Sequence, residues 1–454
     1  MPADDSSDLG PVVPTSRPAA PPSAPVRPTS LELAPFRALR YTGDLASLTS
    51  PPYDVIDADG VAALEAASGH NVIRLILPRD GAVPGCDRYA GAAATLRVWR
   101  DQGVLVPDTA PALYVYEQAA PDGHVQRGLL GALALSPAQD GIVLPHENTM
   151  AGPVSDRLAL YTAVDADLEP IFLLYDGGGA ASRAVGQADQ RSALVDVVLP
   201  DGLRHRLWAV TDATELAAIA EDLAGRKAVI ADGHHRYATY LRRQALRHAA
   251  GDGPGPWDAG LTFLVDAQAF GPQVHAIHRV VPGREATELA ALAARGARVH
   301  DLDGDDLDSA LAALAAAGAA GTAFLLMSGD GGTIRLVTDL DAARLDRCLP
   351  PERSAAWRSL DVSVLHAYVV SELWTIEDTV EAVTYAHDVH EALAAAARTA
   401  GTAVLLNPTP VQGVVDVAAG GERMPRKSTL FTPKPRTGLV MRDHRDVDRP
   451  AGPA

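Results

Sequence analysis

Two cysteines in 454 residues, Cys86 and Cys348, are too few and too far apart for a disulfide framework, and neither has the CxxC partner of a zinc–thiolate site. They read as reduced thiols of a cytoplasmic protein. Positive charge is not in surplus: 39 lysines and arginines face 57 aspartates and glutamates, for a formal net charge of −18. That balance argues against a chain wrapped on nucleic acid, whose footprint is a basic face. No uncharged apolar run approaches the ~20 residues of a membrane span. The acidic opening MPADDSSDLG has no apolar segment behind it and is not a signal peptide. The GxSxG, HExxH and GxGxxG fingerprints and the protein-kinase signature set do not occur where their chemistry needs them. There is no internal repeat.

Hydrophobic residues make up 47% of the chain and charged residues 21%, the balance of a soluble globular protein. The length predicts two or three lobes. Residues 1–30, rich in Pro, Ala and Ser, and residues 444–454 read as disordered tails. Between them we expect a core over 31–283, an insert or second lobe over 284–359, and a C-terminal segment over 360–443 that returns to the core. The spacing of Tyr89, Ala92, Leu96 and Trp99 predicts a helix ending near Gly103. LYVYEQ and VQRGLLGALAL flank Pro121-Asp122-Gly123 as a hairpin. DRLALYTAV and DATELAAIAEDLAG read as helices, and IFLLY, LTFLVDA, QVHAIHRVV and TAVLLN as strands. Residues 284–337 read as helix, helix, strand, turn, strand, and Leu360–Val370 as a helix. Hairpins mixed with single crossovers predict an α+β fold with mixed sheets rather than a doubly wound parallel one.

Four stretches could carry chemistry. In KAVIADGHHRYATYLRRQ, a buried strand ends at Asp232-Gly233 and a helix begins. A glycine before a helix N-terminus lets a ligand approach free N–H groups, which favours an anion. Arg236 adds a forked cation suited to phosphate. His234 and His235 are adjacent on a helix, so they do not share a face and make a poor chelating pair. An Asp-capped helix with solvent histidines is the plain alternative. SPPYDVID offers the Tyr53 ring and the Asp54 carboxylate on a proline-stiffened turn. In VLPHENTMAGPVSDR, His146 and Glu147 follow a strand, where they can act as a base on a hydroxyl or hold magnesium through water. Asp156-Arg157 opens the next helix. ERMPRKSTLFTPKPRTGL gathers Arg423, Arg426, Lys427, Lys434 and Arg436 in an otherwise acidic chain, a local anion pocket. Its Lys427-Ser428-Thr429 resembles the tail of a Walker loop, but the Gly-rich cradle is missing and a conventional P-loop is excluded.

In order along the chain, PPYDVI, PHENT…GP…DR, ADGHHRY, LDVSVLH and MPRKSTLFTPK closely resemble the bacterial and archaeal domain-of-unknown-function family 1015, from about Leu31 to Val440. This chain has Asn148 where that pattern places a cation, and Arg426 where it commonly has Gln. The DGHHR corner also resembles that of the ParB/sulfiredoxin superfamily, which includes free-serine kinases. The resemblance implies a nucleotide-phosphate site at the helix N-terminus. His235 stands where sulfiredoxin chemistry needs a cysteine, so that activity is excluded.

The reading that follows is a phosphotransferase using ATP or ADP with Mg2+ on a small hydroxyl metabolite, free serine being the named acceptor. Gly233, His234, His235, Arg236, Lys427, Ser428 and Thr429 would hold the nucleotide. Glu147 with His146 would take the hydroxyl proton, with Asp232 as a further catalytic carboxylate. Tyr53, Asp54 and Arg157 would contact substrate, and Asp232 or Asp54 would hold the metal. The alternative is a nucleotide-binding regulator without a small-molecule product. A metal-dependent hydrolase built on His146, Glu147, Asp232 and His234 is a third reading. No nucleic-acid or membrane partner is expected.

Overall fold

A computed structural model describes residues 28–302, 306–329 and 331–446. The N-terminal tail expected over 1–30 lies outside these residues up to position 27, and the C-terminal one from position 447. Near that end His444 is buried, with Nε2 3.0 Å from Asp167.

Nine strands among the described residues form the larger sheet: β1 (Leu33–Ala34), β2 (Leu113–Ala119), β3 (Val125–Ala134), β4 (Val143–Pro145), β5 (Ile171–Tyr175), β6 (Val195–Val198), β7 (Arg204–Val210), β8 (Ala228–Asp232) and β9 (Ala259–Asp266). Their spatial order is β4-β8-β5-β9-β3-β2-β7-β6, with β1 beside β3. β4 with β8 and β5 with β9 are parallel pairs. β8 with β5, β9 with β3 and β2 with β3 are antiparallel. The sheet is therefore mixed, and the fold is α+β.

Continuous apolar runs make these central strands. IFLLY is buried along its whole length, and so is nearly all of β3 and β9, as expected for strands covered on both faces. Alternation divides their side chains. Leu173, Leu264 and Val115 join a cluster with Leu160, Tyr161 and Tyr237 from the helices Ala151–Val164 and His234–Ala249. Phe172, Phe263 and Tyr116 join the other cluster, which runs on to Leu289, Leu365 and Trp374 of the second lobe.

That lobe carries a six-stranded antiparallel sheet in the order Arg298–Leu302, Ile334–Thr338, Phe324–Ser328, Thr402–Leu406, His278–Val281, Thr384–Ala386. QVHAIHRVV, read as one strand, is two: Gln273–His275 pairs with Leu430–Thr432, and only His278–Val281 enters the second sheet. The unanticipated strand Arg298–Leu302 lies at a sheet edge with mostly exposed residues, so it carries no apolar signal. The helix expected from Leu360 starts as Asp361–Val364 and widens into a π-helical stretch, Leu365–Leu373. After Leu406 the chain crosses back, and Met424 N donates to His146 O at 2.8 Å.

Candidate functional site

Strand directions explain why distant stretches meet. β4 and β8 are parallel neighbours, with Ile230 opposite Pro145. His146-Glu147 and Asp232-Gly233 thus leave the sheet at one edge. β5 is antiparallel to β8, with Phe172 opposite Asp232, so the residues just before β5 arrive at that edge too.

The helix that begins at His234 runs for 16 residues, to Ala249, and its cap residue Gly233 supplies no side-chain acceptor. Other helices are closed by aspartates, such as Asp87 and Asp212. At His234 the first-turn amides have no such acceptor, the condition under which a helix end attracts an anion. Gly233 has φ +94°, and a Cβ there would lie 3.1 Å from Arg236 Nε. The left-handed backbone favours glycine, and the tight approach of Arg236 adds to that preference.

A knot of alternating charge sits beside this end. Lys434 Nζ lies 2.7 Å from Asp232 Oδ1 and 2.5 Å from Asp54 Oδ2. Burial alone would push its pKa down, but the two carboxylates outweigh burial and hold it up. Burial likewise pushes the Asp54 carboxyl up, and Lys434 and Arg236 reverse that to leave it below its ordinary value. Lys434 is placed by buried glutamines of the β2–β3 hairpin: Gln118 Nε2 donates to Lys434 O at 3.0 Å, and Gln126 Nε2 to Pro433 O at 2.9 Å.

Arg236 is only 1% exposed. Its guanidinium donates to Pro170 O and to Asp232 Oδ2. The fork expected to grip phosphate is thus occupied within the protein and braces the strand-to-helix corner from behind. Arg157 is buried as well, donating to Ile76 O at 2.6 Å and to Asp156 at 2.7 Å. Its guanidinium stacks 4.5 Å from the centre of the Tyr53 ring, so it orients Tyr53. Tyr53 N donates to Glu169 Oε1 at 3.0 Å, and Thr437 Oγ1 does so at 3.2 Å. Glu169 is fully buried, and burial pushes its pKa up against the pull of Arg236 and Arg157.

The histidines are mostly structural. His146 N donates to His234 Nε2 at 3.3 Å, so the His234 proton sits on Nδ1, which faces Glu147 Oε2 at 3.9 Å. The two rings meet edge to face at 4.5 Å. Burial lowers the His146 pKa to about 4 and takes that of His234 well below its usual value. Met150 N donates to His235 Nε2 at 3.0 Å, which pins the PHENT loop against the helix. Burial also lowers the His235 pKa.

Glu147 is different, with 47% of its side chain exposed. Partial burial strips some of its hydration and pushes its pKa up; Lys427 pulls it down and Asp232 adds to the rise. Lys427 is exposed and holds a left-handed backbone at φ +50°, a conformation that non-glycine residues adopt at a cost. Ser428 is buried and its hydroxyl donates to Pro425 O, while Thr429 Oγ1 lies 3.2 Å from His146 Nε2. Both hydroxyls hold the loop in shape.

Asp54 and Asp232, the expected magnesium ligands, converge on an ammonium instead. Among the described residues no group of three or more His, Cys, Asp or Glu side chains could hold a metal ion. Among these residues the protein's own side chains offer no three-ligand cage, so the hydrolase reading finds no ligand set there. Two members of the cleft escape a sequence reading. Glu169 is the last of three acids, after Asp165 and Asp167, at the head of a buried strand, and nothing in that run singles it out. Lys434 is legible only as one cation of a basic stretch.

The fold is mixed α+β, and a helix N-terminus without a side-chain cap stands beside a lysine–carboxylate cluster. The chain belongs to the family described as protein of unknown function, DUF1015, which matches residues 33–363. No curated protein matches. Solved structures with a similar chain include SbnI with a C-terminal truncation from Staphylococcus aureus, 10% identical over 68% of this chain and 86% of that one, with a TM-score of 0.33. A free serine kinase in complex with AMP is 12% identical over 73% of this chain and 92% of its own, with a TM-score of 0.33. A conserved hypothetical protein from Pyrococcus furiosus is 13% identical over 71% and 98%, with a TM-score of 0.32. Among the described residues no helix is long and apolar enough to cross a membrane.

Proposed function

We propose that the cleft binds a nucleotide by its phosphates and moves a phosphoryl group to a small hydroxyl metabolite, with free serine the acceptor named by the resemblance of the DGHHR corner. The observation that carries this reading is the convergence, at one sheet edge, of an uncapped 16-residue helix, two lysines and one accessible carboxylate. The helix amides receive phosphate oxygens. Lys434 and Lys427 neutralise the charge that builds on the departing phosphate. Glu147 accepts the acceptor's proton as the hydroxyl oxygen bonds to the terminal phosphorus, and the bond from that phosphorus to the rest of the nucleotide breaks. The raised pKa makes Glu147 a better base than an ordinary carboxylate. No step is assigned to magnesium.

The test is titration of the full chain with AMP, ADP and ATP, beside transfer assays on serine and other hydroxyl metabolites. Nucleotide binding with transfer supports the reading. Binding without transfer to any acceptor favours the regulator, for which the occupied Arg236 and the Lys434-neutralised carboxylates also argue. No nucleotide binding refutes both.

A further inference from the structure

The second lobe holds a cavity of about 270 Å³ whose lining includes none of the residues proposed to hold the nucleotide. It lies against the π-helical stretch Leu365–Leu373, an irregularity often found at functional sites. Trp357 and Tyr385 give it aromatic walls, and Ser363, His366, Asp378 and Arg426 bring polar groups to it. Arg426 is exposed, and its guanidinium has no hydrogen bond or ion pair among the described residues. Ser363 is 1% exposed, and its hydroxyl has no hydrogen-bond partner among the described residues. A buried hydroxyl left unpaired carries an uncompensated desolvation cost, so a ligand that reaches it is rewarded.

The acid side is built with equal care. Buried Arg279 donates from Nε to His366 Nε2 at 2.9 Å, which puts the His366 proton on Nδ1. Nδ1–H then donates to Asp378 Oδ1 at 2.9 Å. That bond helps keep Asp378 ionised, against burial that raises its pKa. The other Asp378 oxygen has no protein hydrogen bond among the described residues. Arg279 also fixes the loop that carries the cation, donating to Lys427 O at 3.0 Å and to Arg426 O at 3.3 Å.

A fixed carboxylate and an unpaired guanidinium thus border one small cavity. A plain anion is repelled by Asp378 and a plain amine by Arg426. The volume is below the roughly 300–1,000 Å³ of clefts that take drug-sized ligands. We infer that this cavity is a binding site for a small zwitterion, a free α-amino acid, with its carboxylate on Arg426, its ammonium on the free oxygen of Asp378 and its side chain between Trp357 and Tyr385. Ser363 supplies a further hydrogen bond. This inference stands apart from the phosphotransfer reading.

Calorimetric titration of the full chain with the common amino acids tests it, beside amines and carboxylic acids that carry the same side chains with only one of the two charges. At least one amino acid binds and its single-charge analogues do not. Arg426→Gln and Asp378→Asn change exposed groups and each weaken binding tenfold or more; Ser363→Ala weakens it severalfold. The inference is overturned if no amino acid binds, if a single-charge analogue binds as well as its parent, or if both charge variants keep wild-type affinity.

Discussion

Lys434→Met keeps the length and apolar stem of the side chain and removes only the ammonium. Two carboxylates, Asp54 and Asp232, then face each other with less positive charge between them, although Asp232 keeps Arg236. Breaking a fully buried pair costs about 3–5 kcal/mol and an exposed pair about 0–1 kcal/mol. Lys434 and Asp232 are about 85% buried, but Asp54 is 35% exposed, so a loss on the order of 2 kcal/mol follows. In the nucleotide complex the same ammonium makes a charge-assisted contact to phosphate worth about 1.5–3 kcal/mol. Affinity for ADP therefore falls roughly ten- to a hundredfold. Urea unfolding reads the first quantity and calorimetry at a temperature where the variant is folded reads the second. A second variant separates structure from binding. Asp54→Asn releases Lys434 from one carboxylate, so ADP binds more tightly although a salt bridge is lost. A folded Lys434→Met protein that binds ADP as wild type does would refute the role given to this lysine.

Arg236→Ala leaves Asp232 without one cation and Pro170 O without its donor in a buried place, so we expect destabilisation of about 3–5 kcal/mol in urea, and an unchanged midpoint would contradict the bracing role. Acid also weakens the fold. His146 and His278 are buried and neutral with pKa values lowered from 6.5 to about 4, so each contributes stability that is present above pH 6.5 and lost as pH falls toward 4. The difference, 6.5 − 4, amounts to roughly 3 kcal/mol per histidine; a urea midpoint that stays flat from pH 7 to pH 4.5 would refute it.

The strand-to-helix corner was legible in the sequence because AVIADG and the helical pattern after it are both local signals. The same holds for His146-Glu147 after a strand and for the hairpin around Pro121. What stayed hidden depends on contacts across the fold. An arginine in the first turn of a helix reads as a solvent-facing cation. Only the start of β5, laid beside it with Pro170 O free to accept, makes Arg236 a buried brace. Lys434 finds Asp54 at a separation of 380 residues, a pairing that no local pattern encodes. Glu169 follows Asp165 and Asp167 in a short acidic run, and nothing local marks it as the one that is turned into the core. In the second lobe, Arg298–Leu302 is a strand because Ile334–Thr338 pairs with it, not because of its own apolar content.

Glu147→Gln keeps the shape of the side chain and removes the base that the proposed transfer depends on. Calorimetry with ADP and ATP and a phosphate-transfer assay are run on the same preparation. Nucleotide affinity should stay near wild type while turnover falls by about 10²–10⁴. The wild-type rate should fall on its acid side at a pH above the ordinary carboxylate range, because burial raises the Glu147 pKa. A variant that transfers phosphate at the wild-type rate, or one that loses nucleotide binding and turnover together, would contradict the role given to Glu147.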